Sequence, residues 1–144
     1  MSFLSGVRLR SRERSCITVC MRTKLRGLTA AAVRRAVGAA LAGRLIRGIN
    51  VAVVDDATMA KLHGRYLGES RSTDVLSFDL RDDENDEAID GEIVVSWETA
   101  RRAAGELGVS AREELLRYVI HGALHLVGQD DRTAAQRRRM RRAE

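Results

Sequence analysis

Short apolar runs of strand length alternate along this chain with longer stretches of helical periodicity, and that alternation restricts it to a layered fold of helices against a sheet. Ile17 to Met21 reads as a short strand. The alanine-rich stretch Leu28 to Ile46 sets Val33, Val37, Leu41 and Leu45 at near-helical spacing and predicts a helix, which Gly48 and Asn50 then break. Ile49 to Val54 is an apolar, β-branched run of strand length, and Asp55 or Asp56 supplies the cap for a helix from Ala57 to about Tyr66. Gly68 to Ser72 is expected as a loop and Val75 to Leu80 as a strand. Six carboxylates between Arg81 and Asp90 mark a solvated connection to a second strand, Glu92 to Ser96, so that the two strands form a hairpin. A helix from about Glu98 to Leu107 stops at Gly108, and Ser110 with Glu113 forms a capping box for a long final helix. The fold class expected is α/β or α+β. There is no proline, so turns must rely on Gly, Asn, Asp and Ser.

The 144 residues fall in the size range of one domain, and we expect a basic arm over 1–15 followed by a single domain over 16–144. No apolar run approaches the roughly 18 residues that a membrane span needs, so a soluble chain with no membrane partner is expected. Cys16 and Cys20 lack a second pair to complete a zinc knuckle and read as packed free thiols, which suits a reducing cytoplasm. Arg8, Arg10, Arg12 and Arg14 have no long apolar segment or cleavage site beside them and read as an arm rather than a transit peptide. Charge is uneven. Residues 1–26 carry seven basic and one acidic residue and 132–144 carry six and one, so within a total of +5 the middle is strongly acidic. Basic ends around an acidic body suit contact with a polyanion and retention of a cation. Aromatic residues are only 3%, too few for base-stacking platforms, so any RNA contact should be mainly electrostatic.

The segment that carries chemistry is His121-Gly-Ala-Leu-His125-Leu-Val-Gly-Gln-Asp-Asp131, on the apolar helix begun at Ser110. Histidines four apart leave the same helix face one turn apart, a geometry that can hold one metal ion. Gly128 can end the helix through a left-handed residue and let Asp131 fold back, completing two imidazoles and one carboxylate. Three protein ligands leave a position open for water, whose pKa a metal lowers to about 7, and the pattern points to a hydrolytic site. On the residues alone, buried hydrogen-bonded core histidines are the other reading; the Gly128 stop and the Asp130-Asp131 pair favour ligands. A zinc peptidase would place a glutamate directly after the first histidine, where this chain has Gly122.

At this point the sequence resembles the YbeY family of bacterial rRNA maturation endoribonucleases, whose signature runs HGxLHLxGxDH. His121, Gly122, Leu124, His125, Leu126, Gly128 and Asp130 match it, and Asp131 replaces the last histidine. A second family segment, TDVLSF, stands intact as Thr73 to Phe78; Gly91 to Ser96 is similar to the family's GDI strand, and Met140 and Glu144 fit its helical tail. The resemblance covers about residue 16 onward. It implies a small mixed sheet flanked by helices with a metal site at the end of the long C-terminal helix. It also implies a metal usually assigned as zinc, and single-strand-specific endoribonuclease activity in 16S rRNA 3′ end maturation and ribosome quality control. The partners implied are ribosomal RNA and the small ribosomal subunit, with a ribosomal protein or GTPase beside them.

Three departures qualify what is carried over. Asp131 in place of a neutral imidazole lowers the formal charge of a dication site from +2 to +1, making it a weaker Lewis acid, while a two-histidine, one-carboxylate set also suits iron and manganese. Leu67 stands where the family commonly has an arginine, a residue type that would bind phosphate or stabilise charge on phosphorus; Arg65 and Arg71 are the nearby phosphate-contact candidates. Ser72 and Asp79 replace prolines on either side of the strand, where Thr73 and Asp74 are expected to pin the loop through local side-chain bonds. A non-catalytic RNA-binding assembly factor that retains the fold is therefore the alternative function.

Overall fold

The computed structural model describes residues 16–67, 74–83 and 85–128, the side chains of residues 66 and 67 excepted. Eight elements follow in order: β1 (Ile17–Met21), α1 (Ala30–Ala40), β2 (Ile46–Val54), α2 (Asp56–Leu67), β3 (Val75–Asp79), β4 (Ile89–Ser96), α3 (Trp97–Leu107) and α4 (Ala111–Leu126). The strands form one mixed sheet in the order β1-β2-β4-β3. β1, β2 and β4 run parallel, and β3 pairs antiparallel with β4, with Ser77 opposite Ile93. The expected α/β architecture and the β3–β4 hairpin are both present.

Strand alternation sends β2 and β4 side chains to two cores, because successive residues face opposite sides of a sheet. Ile49, Val51, Val53, Ile93 and Val95 pack with Val33, Val37 and Leu41 of α1, Ala100 of α3 and Leu115, Val119, Ala123 and Leu126 of α4. On the opposite face Ala52, Val54, Leu76 and Val94 meet Met59 and Leu62 of α2. A sheet buried on both faces explains why the central strands read as continuous apolar runs.

Several boundaries differ from the sequence expectation. The first helix ends at Ala40 instead of running to Ile46, and β2 begins at Ile46, taking in Gly48 and Asn50. Gly43, at φ +80°, turns the chain, which leaves Leu45 66% exposed although its spacing suggested core. The register shift between Ile46 and Gly48 accommodates the glycine, while Asn50 pairs in regular register with Thr18 and Glu92. Likewise β4 begins at Ile89, so the last two residues of the acidic stretch belong to the strand. Cys16 and Cys20 are free, as expected, but exposed rather than packed.

The caps follow their chemistry. Thr58 N–H donates to Asp55 Oδ1 at 2.8 Å, making Asp55 the cap of α2, and Glu113 N–H donates to Ser110 Oγ at 3.0 Å at the start of α4. Gly108 (φ +71°) and Gly128 (φ +82°) end α3 and α4 in left-handed conformations, as their positions predicted. No described helix is long and apolar enough to cross a membrane.

Candidate metal centre

α4 lies against β3 and β4, and Gly122 is in tight contact with both. A Cβ built there would stand 2.7 Å from Ile93 Cγ2, 2.9 Å from Val75 Cγ2 and 3.0 Å from Ser77 Oγ, so this turn seats only because the side chain is a hydrogen. Gly91 of β4 serves the same approach, since a Cβ there would be 2.8 Å from Leu126 Cδ2. Ser77 Oγ–H donates to the Gly122 carbonyl at 3.0 Å, joining the two sequence segments that carried the resemblance.

His121 and His125 leave α4 together, with ring centroids 4.9 Å apart and planes inclined by 28°. Both are half-buried. Zn–N bonds are about 2.0–2.1 Å, so one ion shared by two imidazoles needs donor nitrogens within about 4 Å, and rings this close allow it. Two imidazoles in this arrangement fit a borderline transition metal. Among the described residues no group of three His, Cys, Asp or Glu gathers around a point. The expected third ligand, Asp131, lies outside the described residues, as do Asp130, Arg71, Ser72, Thr73, the 1–15 arm and the basic stretch with Met140 and Glu144. Arg65 is exposed in the last turn of α2; the Leu67 side chain is not among those described. Asp74 behaves as expected, its Oδ1 accepting from Val75 N–H at 2.8 Å.

Sequence reasoning passed over Glu114, Tyr118 and Ser77. Glu114 and Tyr118 precede His121 by seven and three residues and so continue its face of the helix, a signal visible as polar groups at helical spacing on an apolar helix. Glu114 is buried and ion-paired to Arg117. Burial pushes the Tyr118 phenol up to about 12, with the Glu114 and Asp74 carboxylates adding to the shift, so it stays a neutral hydroxyl at any physiological pH. Ser77 was legible only as part of a motif, because its partner is a carbonyl 45 residues away. The third histidine, His63, is buried in α2, and its Nδ1 has no hydrogen-bond partner among the described residues.

Elsewhere the N-termini of α2 and α3 meet over the carboxyl ends of β2 and β4. Asp56 Oδ1 accepts from Ser96 Oγ (2.6 Å) and Thr99 Oγ1 (2.7 Å), Oδ2 accepts from Arg102 (2.6 Å), and Asp56 N–H donates to Glu98 Oε1 (2.9 Å). Burial alone would raise the Asp56 pKa, but the hydrogen bonds from Arg102, Ser96 and Thr99 outweigh it and hold the carboxyl at about 2.

Fold and site together define an α/β protein that carries a paired-imidazole site on a helix locked to a sheet. The family model for endoribonuclease YbeY matches residues 18–144. The chain belongs to that family. Endoribonuclease YbeY of Rhodopirellula baltica is 39% identical over 127 residues, covering 87% of this chain and 63% of that protein. Endoribonuclease YbeY of Desulfitobacterium hafniense is 38% identical over 104 residues, covering 67% of this chain and 66% of that protein. The chain thus spans just under two thirds of the length of these curated relatives. The solution structure of TM1509 from Thermotoga maritima superposes with a TM-score of 0.59 at 25% identity, over 88% of this chain and 85% of that one.

Proposed function

We propose that this chain is a metal-dependent endoribonuclease that cleaves single-stranded RNA in 16S rRNA 3′ end maturation and ribosome quality control. The observation that carries the reading is the stacked His121–His125 pair, set on a helix turn that Val75 and Ser77 of β3 grip, in a member of the endoribonuclease YbeY family. His121, His125 and Asp131 would hold one divalent ion, zinc first and iron or manganese next. Bound there, the ion supplies a Lewis acid and lowers the pKa of water toward about 7.

The chain's own residues orient that chemistry. Gly122 and Ser77 fix the turn between the imidazoles. Beside the end of α4 a cleft of about 530 Å³ opens between the α1–β2 and β3–β4 connections, lined by Arg44, Leu45, Arg81, Asp86, Val127 and Gly128. That volume accommodates a nucleotide next to the turn that bears His125. The arginine-rich ends, with Arg65 and Arg71, supply phosphate contacts. Ribosomal RNA of the small subunit is the substrate class, and a ribosomal protein or GTPase is the protein partner this role calls for. The cytoplasm is where that substrate is met.

Metal content by mass spectrometry on wild type, His121→Ala and Asp131→Ala, followed by single-stranded rRNA cleavage with the same samples, tests the reading. Near-stoichiometric metal lost together with cleavage in both variants is expected. Metal-free, inactive wild type, even after zinc, iron or manganese is supplied, would leave the assembly-factor role, which the Leu67 and Asp131 departures favour. Product ends separate the two nucleophiles: a 2′,3′-cyclic phosphate means attack by the ribose hydroxyl rather than by water.

A further inference from the structure

We propose that Ser77 is a positioning residue for the histidine pair: its hydroxyl, bonded to the Gly122 carbonyl, sets the separation and tilt of the two imidazoles and so tunes their grip on a metal. The inference rests on the metal-site reading above and deepens it.

The turn between the two histidines is intrinsically weak. A glycine inside a helix has the greatest conformational freedom of any residue, and Gly122 follows His121 directly, within the turn that separates it from His125. Left to itself, the stretch of α4 that must hold two rings in fixed relation would be its softest. Glycine is nonetheless required, because Ile93 Cγ2 and Val75 Cγ2 stand within 3 Å of any Cβ. The third atom against that point is Ser77 Oγ, and it makes a directed bond: the hydroxyl donates to the Gly122 carbonyl at 3.0 Å, beyond the carbonyl's place in the helix ladder. The donor comes from β3, which is hydrogen-bonded to β4 from Val75 to Asp79, so the turn is tied to the sheet rather than to a loop. Ser77 acts through the backbone between the two rings, and a coordinating pair needs placement within about 0.5 Å and 10–20°.

A merely structural role predicts something different from a positioning role. If Ser77 only packs, its loss lowers the melting temperature and leaves the metal's surroundings alone. If it positions, the affinity and the spectrum of a bound metal change. The pair Ser77→Thr and Ser77→Val separates the two, since these side chains have one shape and differ in the hydroxyl; Ser77→Ala removes the hydroxyl with the least steric change.

The experiment titrates Co²⁺ into chelator-stripped full-length protein, following the visible d–d absorption, and measures Zn²⁺ affinity by competition, with apo-protein melting curves alongside. We expect Ser77→Ala and Ser77→Val to bind about tenfold more weakly, as outer-shell changes at metal sites do, with a displaced Co²⁺ spectrum, while Ser77→Thr keeps the wild-type values. Wild-type affinity and spectrum in Ser77→Ala and Ser77→Val would overturn the positioning role and leave the metal site standing. Equal loss in Ser77→Thr and Ser77→Val would overturn it too, by assigning the effect to shape. Wild type that binds neither Co²⁺ nor Zn²⁺ would overturn the metal-site reading, and the inference with it.

Discussion

At the scale of single residues, two groups tie this fold to measurable quantities. Gly122→Ala forces a methyl against Ile93 and Val75 at contact distances no relaxed pair shows, and tightly against Ser77; overpacking of this kind costs about 1–3 kcal/mol. Urea denaturation should show that loss, with metal binding impaired beyond it, because the displaced turn carries His121 and His125. Asp56 gives a pH dependence of defined sign. Its folded-state pKa is depressed from 3.8 to about 2, so its contribution is fully present above about pH 4 and is lost as pH falls through 2. The size is on the order of 2 kcal/mol. Asp56→Asn should be less stable than wild type at pH 7 and should flatten the wild-type decline between pH 4 and 2 in denaturation midpoints.

At the scale of elements, the ends of the helices were read more accurately than the start of β2. Ser110, Gly108 and Gly128 act through bonds and backbone angles local to themselves, which sequence exposes directly. Ile46, Gly48 and Asn50 were misassigned because a paired strand tolerates residues that would end a free one: β4 pairs with all three and β1 with Asn50 as well, and neither pairing is visible from spacing. The same distinction runs through the site. His121 and His125 were legible because helical geometry alone brings them together, whereas Ser77, 45 residues from its partner, needed the fold. Gly128 belongs to the legible class and carries a test. Its φ of +82° is costly for any side chain that has a Cβ, so Gly128→Ala should lower stability by about 1–2 kcal/mol. Since this residue sets the direction in which the chain leaves α4 toward Asp131, isothermal titration should find metal affinity reduced as well.

For the whole molecule, the separation of charge makes a prediction about binding. With arginine-rich ends and an acidic middle, RNA affinity should fall steeply with salt, since each phosphate neutralised releases counterions. Fluorescence anisotropy with single-stranded rRNA between 50 and 200 mM salt should show a loss of at least roughly a hundredfold; a flat response would remove the basic ends from the interface. The carboxyl ends of β2 and β4 bear on the same question. Their connections leave toward opposite faces of the sheet, α2 to one core and α3 to the other, and such a divergence is where open α/β sheets ordinarily receive a ligand. Here that berth is taken by the protein itself: Asp56 lies across it as an internal anion, held by Ser96, Thr99 and Arg102. An incoming anion would have to displace that carboxylate from three hydrogen-bond donors, whereas the outer flank of α4, with the His121–His125 pair, carries no such internal occupant among the described residues.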